Sequence, residues 1–96
     1  MGILRKIKVG KKYVRGVCLK LTGKSLIVFS GKKGYIMCGY LNLGAANKFK
    51  DVAVKITGVS TINEALAANV HSATSAAKRL GIHKGQAIKD VLKIIA

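Results

Sequence analysis

From residue 3 to residue 40 the apolar positions follow a two-residue period, interrupted at short intervals by glycine and lysine. Over residues 3–9, Ile3, Ile7 and Val9 fall on one face of a predicted strand, with Arg5 the exception, while Lys6 and Lys8 fall on the other. Gly10, Lys11 and Lys12 turn the chain into a second strand over 13–21, where Tyr13, Val17, Leu19 and Leu21 are in phase. Thr22, Gly23 and Lys24 turn it again. The third strand, 25–30, has an unbroken apolar centre that predicts burial on both faces. A turn over 30–34 has Gly31 and Gly34 to supply positive φ, and residues 34–40 form a fourth strand. Short turns between consecutive strands predict an antiparallel meander.

The period then changes. Residues 42–49 predict a short helix weakened by Gly44. Val52, Val54 and Ile56 alternate with Ala53, Lys55 and Thr57 as a fifth strand. Thr61 and Glu64, three apart and just before Ala65 and Leu66, form a capping box at a helix start. Over 72–80 the stripe Ala73, Ala76, Ala77 and Leu80 predicts a helix closed by Gly81. A last helix over 85–95 carries the stripe Ile88, Val91, Leu92 and Ile95. Strands first and helices mostly later define an α+β fold in one domain, 1–96, with an N-terminal antiparallel meander packed against C-terminal helices.

Composition adds a constraint on size. A 96-residue domain buries only about two-thirds of its unfolded surface, so its core is thin. Helices covering one face of the meander leave the second face of the third and fourth strands apolar. At about 25 cal/mol per Å², burying that face against another copy is favourable. Homo-oligomerisation through the N-terminal strands follows as the expectation.

Charge adds a second class of partner. The net charge is +15, and residues 1–55 hold 13 of the 18 basic residues against one acid, Asp51. Such a field draws polyanions, and Lys11, Lys12, Lys32 and Lys33 are candidate nucleic-acid contacts. Few aromatics interleave with them and no RNP, KH or helix-turn-helix signature is present, so nucleic acid ranks second to self-association. Two cysteines and no signal peptide predict a reducing cytoplasmic setting. No apolar run approaches the roughly 18 residues of a membrane helix.

Candidate chemistry is sparse. Cys38 is the candidate nucleophile, but a cysteine within an apolar run reads first as a small buried hydrophobe. Cys18 carries less weight still. Ser60 and Thr61, at the start of the capped helix, are candidate anion or ligand contacts, although capping alone accounts for Thr61. Two cysteines twenty apart and two histidines twelve apart match no zinc spacing, so no metal is expected. Asp51, Glu64 and Asp90 are too scattered for a carboxylate pair. Gly31-x-x-Gly34 leads into no helix and reads as a hairpin turn, so no cofactor is expected.

Three blocks carry a resemblance. They are Gly34-Tyr35-Ile36-Met37-Cys38-Gly39, then Gly58-Val59-x-Thr61-Ile62, then Thr74-x-Ala76-Ala77-x-x-Leu80-Gly81-Ile82-x-x-Gly85. In order and spacing they resemble the YunC-like family, domain of unknown function 1805, of bacteria and archaea. The likeness is close over 34–85 and looser over 13–95. It implies a soluble α+β domain whose N-terminal β region mediates tetramer formation, and implies no established activity. The family often has an acid after the first block, where this chain has Asn42, and an arginine in the second, where it has Ser60. Three roles follow: a tetrameric assembly domain, a nucleic-acid binder, or a ligand-binding or enzymatic protein using Cys38. The sequence does not decide whether the chain is an enzyme.

Overall fold

The computed structural model describes residues 2–38 and 42–96. One sheet holds β1 (Gly2–Val9), β2 (Lys12–Leu21), β3 (Lys24–Ser30), β4 (Tyr35–Met37), β5 (Ala53–Lys55) and β6 (Ser72–Ala73), in that spatial order. The helices are α1 (Leu43–Lys48), α2 (Ile62–Leu66), α3 (Ser75–Arg79) and α4 (Ile88–Ile95). The α+β class, the antiparallel β1–β4 meander and the short helix before a fifth strand all stand as read from the sequence. The end of the predicted fourth strand, Gly39 and Tyr40, lies outside the described residues.

Cross-strand register sorts the side chains into two faces. One row runs Arg5, Gly16, Phe29, Ile36, Val54, Ala73 across all six strands. Ile7 and Val14 lie beside it on the same face, which α2 and α4 cover. Here Phe29, Ile27, Ile36, Val54, Ile88, Val91 and Ile95 are fully buried in one cluster. The α4 stripe is the one its sequence predicts. The opposite row runs Leu4, Val17, Val28, Met37.

The phase of β2 is the reverse of the one its hydropathy suggests. Val14, Gly16 and Cys18 face the core, while Tyr13, Leu19 and Leu21 are 51, 41 and 44% exposed. Gly16 is the reason. A Cβ there would meet the Phe29 ring at 3.2 Å and Ile7 Cδ1 at 3.0 Å, so the missing side chain makes room for core neighbours. A hydropathy pattern gives such a position no weight.

Gly31 and Gly34 also differ from expectation. Neither has positive φ, which in the hairpin turns occurs at Gly10 and Gly23. Both instead permit close approach: a Cβ on Gly31 would meet the Ile95 carbonyl carbon at 2.7 Å, and one on Gly34 would meet Val52 Cγ1 at 2.6 Å. The end of α4 is thereby docked on the β3–β4 turn, where the Lys33 amide donates to Ile95 O at 2.8 Å.

Beyond the meander, β5 pairs parallel to β4 through a crossover carrying α1. Tyr35 and Met37 belong to the face opposite the main core, and they share a cleft with Ala45, Ala46 and Phe49. Covering therefore comes from both sides at β4 and β5, whereas among the described residues no helix covers Leu4, Tyr13, Leu19 and Leu21 on the outer face of β1 and β2. The predicted helix over 72–80 is shorter, because Ser72 and Ala73 pair with β5 as β6 and Thr74 caps α3. Leu80 is consequently 45% exposed instead of joining a buried stripe. Gly81, at φ 91°, does follow the helix as its left-handed stop. The start of α4 moves to Ile88 because Gly85 has φ 86° and its amide donates to Val70 O, not into a helix.

Candidate functional site

Cys38 follows the last residue of β4 and remains tied to β3. Its amide donates to Ile27 O at 3.1 Å. Its Sγ accepts from the Ile27 amide at 3.3 Å, and the thiol faces Ser25 O at 3.6 Å as a weak donor. The residue is only 4% exposed, yet it lines an open cleft of about 340 Å³ with Gly23, Lys24, Ser25, Gly58, Val59 and Ser60. Packing and access to a cleft thus coexist at this thiol.

Gly58, at φ 72°, lets the chain leaving β5 turn back toward the β2–β3 turn and carry Ser60 there. The capping box then forms: Thr61 Oγ1 accepts from the Glu64 amide at 3.1 Å, and Glu64 Oε1 accepts from the Ser60 amide at 3.0 Å. Two further clefts meet at Ser60. One, about 230 Å³, is bounded by Arg5, Cys18, Lys20, Thr61 and Asn63. The other, about 280 Å³, is bounded by Lys20, Leu21, Gly23, Lys24 and Ser25. Cys38 and Ser60, singled out separately in the sequence, are therefore neighbours. Arg5, Lys20, Lys24 and Ser25 join them without having been singled out as site residues. The available signal was Arg5 itself, the break in an otherwise apolar strand phase.

The remaining candidates lie elsewhere. Lys11 and Lys12 are at the β1–β2 turn, bordering a cleft with Val9, Lys93 and Ala96. Lys32 and Lys33 occupy the β3–β4 turn at the same end of the meander, opposite the end with the β2–β3 turn and Ser60. Lys6 lies over the Tyr13 ring, 4.4 Å from its centroid. His71 Nδ1 pairs with Ser72 Oγ at 3.0 Å and His83 Nδ1 with Lys84 O at 3.2 Å, so neither ring is oriented by the Ser60 clefts. Both cysteines are free. Among the described residues no group of three His, Cys, Asp or Glu side chains is placed to hold a metal, and no helix is long and apolar enough to cross a membrane.

Asp51 is engaged at the other side of the sheet. Tyr35 Oη donates to Asp51 Oδ2 at 3.0 Å. Partial burial, then that bond and the carboxylate's charge, raise the tyrosine pKa above its ordinary value. The folded chain holds this proton more tightly than the unfolded chain. Its contribution is complete below about pH 10 and is lost as pH rises through the folded-state value. Urea midpoints at pH 8 and above pH 10 are expected to fall less for Tyr35→Phe than for the parent chain. Equal falls would remove Tyr35 from the alkaline response.

The architecture is that of an α+β domain with a six-stranded mixed sheet and a polar cleft where the β2–β3 turn meets the start of α2. The chain belongs to the family described as domain of unknown function 1805, whose model matches residues 37–95. It is 38% identical over 80 residues to the uncharacterized protein YunC of Bacillus subtilis strain 168, covering 79% of each chain. The crystal structure of a protein of unknown function from Thermoplasma acidophilum matches with a TM-score of 0.95 at 34% identity, covering 100% of this chain and 94% of that one.

Proposed function

We propose that residues 1–96 act as one cytoplasmic assembly unit, a homo-oligomer, tetrameric in its complete form, joined through the N-terminal strands. The observation that carries this reading is the outer face of β1–β3. There Leu4 is 73% exposed, and Leu19 and Leu21 extend the apolar surface on β2. Val17, Leu26 and Val28 are half-buried between them. Contiguous apolar surface of this kind is the mark of an interaction site.

Two-fold pairing of this face makes a dimer. A second contact, needed for a tetramer, is available along β1, an edge strand of eight residues with one side of its backbone unpaired within the sheet. Lys6, Lys8 and Arg15 rim the patch with charge of one sign. Like charges oppose assembly and salt screens them, so association strengthens with ionic strength, the reverse of polyanion binding.

Sedimentation tests the reading. The parent chain is expected to sediment as several subunits at moderate salt, and Leu4→Lys/Leu19→Lys, which loses the facing contact, as a smaller folded particle. A parent monomer that persists as protein concentration is raised overturns it. Nucleic-acid binding is less well supported, since Tyr13, the exposed ring beside Lys11 and Lys12, already has Lys6 over its face. A nucleophilic role for Cys38 has no histidine beside it among the residues lining its cleft.

A further inference from the structure

We propose that the clefts meeting at Ser60 form a binding site for a small ligand with a terminal oxyanion, a phosphate or a carboxylate. The argument begins with the face on which the cations lie. Arg5 pairs with Gly16 and Lys20 with Ser25 across the strands, in phase with Cys18 and Ile27 on the helix-covered face. Every deeper neighbour on that face belongs to the core. Both side chains are exposed at the rim of that face, so water keeps them charged and a dissolved anion can reach them.

Among the described residues neither has an opposite charge as its partner. Arg5 Nη1 donates to the neutral Asn63 Oδ1 at 3.1 Å, both residues lining one cleft, and the guanidinium has further donors for another acceptor. Among the described residues the one ion pair is Lys93 with Asp90, far along the chain from Lys20. Lys24 borders two of the three clefts. The nearby acid, Glu64, is turned back on Ser60 and Thr61 by the capping box. Arg5 and Lys20, with Ser25 and Ser60 beside them and the one nearby acid turned away, suit a ligand group carrying one to two negative charges.

The start of α2 is not what holds this ligand. There Thr61 Oγ1 accepts from the Glu64 amide and Glu64 Oε1 from the Ser60 amide, and the cationic side chains of β1 and β2 supply the recognition. Arginine offers two parallel donors to an oxyanion, and lysine adds a point charge. Cys38 lines the adjoining cleft, which shares Ser25 and Ser60 with the one that Lys20 bounds.

Amide NMR titration with inorganic phosphate, and separately with acetate, tests the site at constant ionic strength. Saturable shifts centred on Lys20, Ser25 and Ser60 are expected, with affinity at least tenfold weaker in Arg5→Gln/Lys20→Gln. Both replaced side chains are exposed, and an unchanged spectrum elsewhere certifies the fold of that variant. Stronger binding of phosphate assigns the site to phosphate esters, and equal or stronger binding of acetate assigns it to carboxylates. Unsaturable shifts of similar size at Lys11, Lys12 and Lys32, or the same affinity in the double variant, overturn the proposal. Saturable binding is also expected to slow iodoacetamide labelling of Cys38.

Discussion

Gly31→Ala is expected to destabilise the fold by about 3 kcal/mol, the upper part of the usual range for overpacking. The new methyl group has no yielding neighbour. It meets main chain, the Ile95 carbonyl carbon at 2.7 Å and the Ala96 nitrogen at 3.1 Å, instead of the end of a flexible side chain. Relief requires the end of α4 to lift from the β3–β4 turn. That motion breaks the bond from the Lys33 amide to Ile95 O and exposes Ile95, which is fully buried. Gly23→Ala provides the comparison, since its φ of 71° is strained for alanine but nothing lies within 4 Å of the added carbon. Its cost is about 1 kcal/mol. Urea midpoints that place Gly31→Ala level with the parent chain would show that the close approach is not rigid.

Thr74→Val is expected to cost about 2–4 kcal/mol despite its nearly unchanged volume, because it leaves buried polar groups without partners. Thr74 is polar and fully buried. Its hydroxyl donates to Asp51 O at 2.6 Å and accepts from the Ala53 amide at 3.1 Å and the Ala77 amide at 3.3 Å. One oxygen thus closes the entry to β5, an amide of β5 itself and the cap of α3. Thr74→Ser keeps these bonds and loses only a methyl group, so it should retain most of the stability. Equal denaturation midpoints for the valine and serine variants would place the role of Thr74 in its shape, not its hydroxyl.

Both residues show where the sequence is legible and where it is silent. The α4 stripe is read correctly because four bulky aliphatics recur at helical spacing with lysines between them. The meander is read correctly because glycine and lysine mark each turn. The phase of β2 reads backwards because the core position is a glycine, while the opposite face carries the larger apolar residues. β6 is two residues long, too short to establish a period, and its alanine fits the helix that follows equally well. Nothing local distinguishes Thr74 from an exposed threonine. The Ser60 clefts combine positions 5, 20, 24, 25, 38 and 60, which only the paired strands and the Gly58 turn bring together.

A meander with two apolar faces has a consequence during synthesis. Its strands leave the ribosome before α2 and α4, so Ile27, Phe29 and Ile36 wait without cover alongside Leu4, Leu19 and Leu21. An unfinished sheet of this kind is prone to pair with its neighbours on a polysome. Residues 1–37 contain ten lysines and arginines and not one acid. Mutual repulsion among such nascent segments delays contact until the helices close the inner face. The same charge therefore protects unfinished sheets until α2 and α4 cover the inner face and leave one apolar face open.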